Sequence, residues 1–182
     1  MEVLETFFAA GVYANFLPVA LVFVGLVLIT NGMLGLGGAD AKSQSVMDWV
    51  TGGLMVVGAF IGLMRASALG DFQLCCGFFL FGFTYLILGA TLCCNLDWKV
   101  YGWYAGLVAI FAAIFGIVCL TTGAYYTAYL WLAWCLLWGW GCISCCIKTD
   151  VNPKITPVFC IIEGFLAAFI PGILIFLGKW GA

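Results

Sequence analysis

Trp131, Trp134 and Trp138 fall at i, i+3 and i+7 of the run WLAWCLLW, so a helix carries the three indoles along one stripe. Each indole combines a flat apolar face with a single N–H donor, and a dry core would have to find that donor a partner. The second group with chemistry to offer is Glu163, in FCIIEGFLAAFIPG, read as the only acid well inside an apolar stretch. An ionised carboxylate in such surroundings must be paired, protonated or in contact with water. Glu163 therefore either stays neutral and hydrogen-bonded between helices, or accepts N–H bonds from a passing solute or an indole. Thr30 and Asn31 are weaker polar candidates of the same kind, for which bonding between helices is at least as good an account. The chain has no histidine, and it shows no paired carboxylates, nucleophile elbow or phosphate-cradling loop. An enzyme has nothing to work with here.

Composition decides what positions these groups. Of the residues, 66% are hydrophobic and 8% charged, whereas a soluble domain carries about 25% charged residues. Apolar stretches near 17–36, 46–66, 74–94, 101–120, 125–146 and 157–178 each approach the ~20 residues that a membrane helix needs. The expectation is an all-α membrane protein: an interfacial extension over 1–16, then a transmembrane domain of six helices over 17–182. No soluble domain fits, and no nucleic-acid partner or cofactor is expected. Glu2, Glu5 and the lack of a basic start argue against a signal peptide. Lys42, Lys99, Lys148 and Lys154 fall on one side of such a bundle, against Arg65 and Lys179 on the other. The positive-inside rule then places both termini outside.

A repeat emerges when glycines serve as the ruler. Gly25 and Gly32 in VGLVLITNG match Gly82 and Gly89 in FGFTYLILG, and Cys135 and Cys142 in WCLLWGWGC. The register aligns Leu21, Phe78 and Trp131, then Val24, Phe81 and Trp134, then Leu28, Tyr85 and Trp138. The even spans instead carry small residues, such as Gly102, Gly106, Ala109, Ala113 and Gly116, which let helices approach closely in lipid. Pro171 is expected to kink the sixth span, with neighbours satisfying the freed carbonyl. The chain thus reads as three helical hairpins whose large stripes turn inward together. Those stripes either fill a solid core or line a narrow path. Small residues at 25, 82 and 135 beside the bulky ones favour a path, as do the polar tips. Flat aromatic walls suit a planar polar solute, because a bare ion would need rings of carbonyls or charges.

Ten cysteines are present, and CISCC with Cys93 and Cys94 admits a thiolate metal site or lipidation. The plainer account is that cysteine packs as a small apolar residue.

FVGLVLITNG, FLFGFTYL, NLDWKVYGWY, WLAWCLLW and IIEGFLAAFIP together resemble the acid-activated urea channel and amide transporter family, in order and from about residue 17 onward. The resemblance implies a homohexameric ring with a lipid-filled centre and one pore in each protomer. Urea would pass down its gradient between an outer and an inner constriction. The positions carried over are Leu28, Phe81, Tyr85, Trp131, Trp134, Leu137, Trp138 and Glu163. The chain departs from the acid-gated pattern in lacking histidine and in its short loops near 66–73 and 120–125, so no histidine-based acid gating is expected. A channel of this kind would supply a cytoplasmic urease. Short aliphatic amides feeding an amidase are the close alternative. A scaffold whose aromatic stripes only pack, and a proton-coupled transporter using Glu163, are alternatives of other classes.

Overall fold

The computed structural model describes residues 16–148 and 152–180. Residues 1–15, read above as part of an interfacial extension, lie outside the described residues. Six helices follow one another: α1 (Phe16–Gly35), α2 (Ala41–Leu63), α3 (Leu69–Cys94), α4 (Trp98–Thr121), α5 (Tyr125–Ile147) and α6 (Ile155–Phe176). At ~1.5 Å per residue each is long enough to cross a hydrocarbon layer about 30 Å thick.

Short polar residues set where the helices begin. Asp40 caps α2, its Oδ1 accepting from the Ser43 amide at 2.9 Å. Asp97 does the same for α4 through the Lys99 amide at 2.9 Å. Asp71 reaches back to the Ser67 and Ala68 amides, both at 3.0 Å. Such oxygens satisfy N–H groups that the first turn leaves open. Asn95, in the left-handed region at φ 52°, ends α3. The Asp40 cap corrects the sequence reading, which began the second span near 46. The helix starts at Ala41, and this moves Asp48 from the rim into its second turn.

The helices pair as α2 on α3, α4 on α5, and α6 back onto α1. Each even helix thus lies along the odd helix that follows it, and the last helix closes the bundle against the first. This pairing turns the odd stripes inward. Leu21, Val24, Leu28, Phe78, Phe81, Tyr85, Trp131, Trp134 and Trp138 are all buried, with no more than 7% of any of them exposed. Outward, Trp103, Leu107, Ile110, Ile114 and Ile117 of α4 are exposed at helical spacing, an apolar face for lipid or a neighbouring chain.

Gly25 and Gly82 have a different role from the one their positions suggested. A Cβ on Gly25 would meet the Phe169 backbone nitrogen at 2.6 Å, and one on Gly82 would meet the Gly52 carbonyl oxygen at 3.1 Å. These glycines bring paired helices together and leave no space beside the inward stripe. In the third pair the small residue is on the even helix: a Cβ on Gly106 would meet the Cys142 sulfur at 2.8 Å. Cys142 is therefore a packing partner of α4. Among the described residues, no three Cys, Asp or Glu side chains gather where a metal could be held.

Pro171 shapes α6. Proline lacks the N–H that would bond to the carbonyl of Ala167, four residues earlier. The helix widens to π geometry over Phe165–Phe169 just before it. Two carbonyls of that segment bond sideways instead: Tyr129 Oη donates to Leu166 O at 3.0 Å, and Trp134 Nε1 donates to Ala167 O at 3.0 Å. Neighbours from α5 thus satisfy the backbone that proline disturbs, as α6 requires in an apolar setting.

Candidate functional site

Three cavities succeed one another along the bundle between the odd helices. The first, of about 140 Å³, lies at the N-terminal ends of those helices; Leu21, Val24, Phe78, Phe81, Trp131 and Trp134 form its wall, with Trp180 beyond α6. The middle cavity, about 50 Å³, is walled by Leu28, Phe81, Tyr85, Trp134, Leu137 and Trp138, with Asn31, Tyr101 and Cys160. The third, about 470 Å³, opens at the C-terminal ends, where Asn31, Leu137, Tyr101 and Cys160 recur beside Trp98 and Cys145. Phe81 and Trp134 belong to both the first and the middle cavity. Asn31, Leu88, Tyr101, Leu137 and Cys160 belong to both the middle and the third. Ten of the eleven residues singled out from sequence therefore meet on one line.

Glu163 is the eleventh. It is buried in α6, and its Oε2 finds no partner among the described residues. It is not in the wall of these three cavities. The residue after it, Gly164, packs on Leu28 of α1.

Aromatic contacts build the wall that the first and middle cavities share. The Phe81 ring meets Trp134 at 4.5 Å between centroids and Trp138 at 4.6 Å, and Trp131 meets Trp134 at 5.3 Å. Edge-to-face and tilted contacts of this kind set the positive ring edge against the negative face. The four rings hold one another, so the wall shared by the first and middle cavities is stiff. The indole N–H groups divide by task. That of Trp134 is taken by Ala167 O, which leaves its ring as the part that walls the cavities. Those of Trp131 and Trp138 have no protein acceptor among the described residues.

A middle cavity of about 50 Å³ is several times the 10–15 Å³ that one water needs. It fits one solute of about four heavy atoms. Its wall carries no charged group, and its polar groups are the Asn31 amide, the Tyr85 and Tyr101 hydroxyls and the Trp138 N–H. The Thr84 hydroxyl is already engaged, donating to Leu80 O at 2.7 Å. The arrangement offers flat surfaces with a few donors, which suits a planar neutral molecule and leaves an ion without a substitute for its hydration.

Sequence reasoning missed a polar cluster. Asp48 is fully buried in α2, so Glu163 is not the only acid well inside a span. Asn31 Nδ2 donates to Asp48 Oδ1 at 2.8 Å, and Gln44 Nε2 donates to Asn31 Oδ1 and, at 3.3 Å, to Thr30 Oγ1. Asn31 and Thr30 thus bond across to α2, one of the two accounts open from sequence, while Asn31 also walls two cavities. The available signal was Gln44, Asp48 and Thr51 at i, i+4 and i+7, a polar stripe on one helix face. Beginning α2 too late hid it.

Comparison with known proteins agrees with this architecture. A family model described as an AmiS/UreI family transporter matches residues 16–179. An acid-activated urea channel of Helicobacter pylori is 35% identical over 90% of this chain and 99% of its own length. A putative amidate substrates transporter protein of Mycolicibacterium smegmatis is 29% identical, over 89% of this chain and 77% of its own. The cryo-EM structure of the Helicobacter pylori urea channel in a closed state superposes with a TM-score of 0.81 at 35% identity, over 90% of this chain and 99% of that one. The match covers all six helices of an integral membrane protein, and the family carries solutes and is not one of enzymes. The chain belongs to the AmiS/UreI transporter family.

Proposed function

We propose that the chain is a passive urea channel that also admits short aliphatic amides, with its path through the slot bounded by Phe81, Trp134 and Trp138. The observation that carries this reading is the line of three cavities walled by the inward stripes of α1, α3 and α5. Support for urea comes from the Helicobacter pylori channel, similar over nearly its whole length. Leu21, Val24, Phe78 and Trp131 form the wall on one side of the slot; Leu28, Tyr85 and Leu137 form it on the other. A solute leaving water slides between the ring faces in single file. It exchanges hydrogen bonds with the N–H groups of Trp131 and Trp138 and with the Tyr85 hydroxyl. Glu163, on α6 and outside the wall of these cavities, is a reserve acceptor: its buried Oε2 has no partner among the described residues, and an N–H group from an indole or from a solute reaching it would satisfy it.

In this reading protomers assemble as a homohexameric ring around membrane lipid, and the exposed apolar face of α4 supports such packing. The termini face outward, on the side away from most of the lysines. Opening does not depend on histidine, since the chain has none. A cytoplasmic urease that consumes urea would maintain the gradient. The relative named for amidate substrates favours a second reading, a short-amide channel feeding an amidase. Light scattering from vesicles containing the protein, challenged with urea and with acetamide, separates the two by relative rate. A non-transporting scaffold predicts that neither solute moves faster than through bare lipid.

A further inference from the structure

Asp48 demands an account that the aromatic slot does not give. It is fully buried in α2, wedged between Asn31 of α1 and Gly89 of α3, whose added Cβ would meet the Asp48 Cβ at 3.2 Å. Its Oδ2 has no partner among the described residues. Burying a carboxyl group that is only half satisfied costs more than burying an apolar residue of similar shape. What the group does is hold one side chain. Its Oδ1 accepts from Asn31 Nδ2 at 2.8 Å, and Gln44 bonds to the carbonyl oxygen of the same amide.

A primary amide has two N–H donors and one carbonyl oxygen. With one N–H on Asp48 and the carbonyl engaged by Gln44, the donor left to Asn31 is its second N–H. An acceptor on one side and a donor on the other also fix which way round the amide sits. Asn31 stands where the middle and third cavities meet, in the wall of both. The residue that carries the remaining donor therefore stands at the junction of the middle and third cavities.

We infer that Asp48 is a positioning residue for permeation, orienting Asn31 so that its free N–H binds the carbonyl oxygen of the passing solute and favours it over solutes lacking that oxygen. The inference rests on the urea and amide reading above. Aromatic walls sort mainly by shape and treat urea and thiourea much alike. A fixed donor distinguishes them, because a site built to bond a polar group discriminates against an analogue that lacks it.

The test is the ratio of urea to thiourea permeability in vesicles holding the full chain, with assembly checked by size-exclusion chromatography. Asp48→Leu should lower that ratio about five- to tenfold, the weight of one well-placed hydrogen bond. Asp48→Asn keeps an oxygen acceptor for Asn31 and should stay within about twofold of the wild type. Where Asp48→Leu does not assemble, Asn31→Leu removes the donor directly at similar volume and should lower the ratio by the same factor. An unchanged ratio in an assembled Asp48→Leu or Asn31→Leu protein overturns the inference, as does an Asp48→Asn protein as impaired as Asp48→Leu. Wild-type protein that passes urea while the variants keep the ratio sinks this inference alone. Wild-type protein that passes neither solute sinks the functional reading beneath it.

Discussion

The Phe81 ring stands edge to face against the Trp134 indole, 4.5 Å between centroids at 87°, at the wall shared by the first and middle cavities. Trp138, one turn further along α5, meets the same ring at 4.6 Å and 58°. Aromatic contacts like these contribute roughly 0.5–1.5 kcal/mol each beyond the area they bury. Phe81 is thus held by two partners, and the width of the slot depends on all three rings. Phe81→Ala removes the shared wall. It should raise glycerol permeability at least severalfold over the wild type while urea still passes, as read by light scattering. A protein that excludes glycerol as before would show that the slot is not the selective element.

The indole N–H groups predict a contrast within one helix. Trp134→Phe keeps a ring and loses the bond to Ala167 O, leaving a carbonyl of the π segment uncovered. Its melting temperature in detergent should fall by an amount equivalent to about 1 kcal/mol, with urea flux within about twofold of the wild type. Trp138→Phe should do the opposite, holding stability and lowering urea flux, because its N–H has no acceptor among the described residues and, on the proposed reading, meets the solute. Equal effects on flux from both substitutions would contradict the division of roles.

Helix pairing makes its own prediction. Gly25→Val places side-chain carbons against the Phe169 backbone, where even a Cβ would approach to 2.6 Å. The α1–α6 contact should open, with loss of assembled protein on size-exclusion chromatography. Gly53 lies in α2 with nothing within 4 Å of an added Cβ, so Gly53→Ala should be neutral or stabilising by up to about 1 kcal/mol.

The absence of histidine predicts a flat response to pH. Urea flux should change less than about twofold between pH 7.5 and 5, the range in which histidine titrates. The α2 cap supports this: hydrogen bonds from Ser43 hold the Asp40 carboxyl below its usual value of 3.8. A lowered folded-state pKa adds stability above the unfolded value, lost only as pH falls through the folded one. The cap is therefore intact throughout the range. A severalfold rise toward pH 5 would contradict the prediction. If that rise vanished in Glu163→Gln or Asp48→Asn, the buried carboxyl groups would be its origin.

What the sequence made legible was periodic. The inward stripes of α1, α3 and α5 repeat at helical spacing, so Leu21 through Trp138 could be aligned before any contact was known. Contacts between helices were less accessible. Gly25 and Gly82 looked like space beside the stripe, because a sequence shows that a residue is small and not which neighbour uses the room. The use of the Trp134 N–H depends on Ala167, 33 residues away, and on a π segment that only the Pro171 kink anticipates. Asp48 was passed over for a local reason: its helix begins at Ala41, just after the Asp40 cap and five residues before the apolar run that marked the span.

The most direct test of the central claim is stopped-flow light scattering on vesicles of purified protein, comparing urea, acetamide and glycerol with and without a protonophore. Urea should equilibrate down its gradient far faster than through protein-free lipid, unaffected by the protonophore, and Trp138→Ala should alter that rate with the oligomer intact. Urea flux equal to that of protein-free vesicles, or uptake against a gradient that the protonophore abolishes, would contradict a passive aromatic-lined channel.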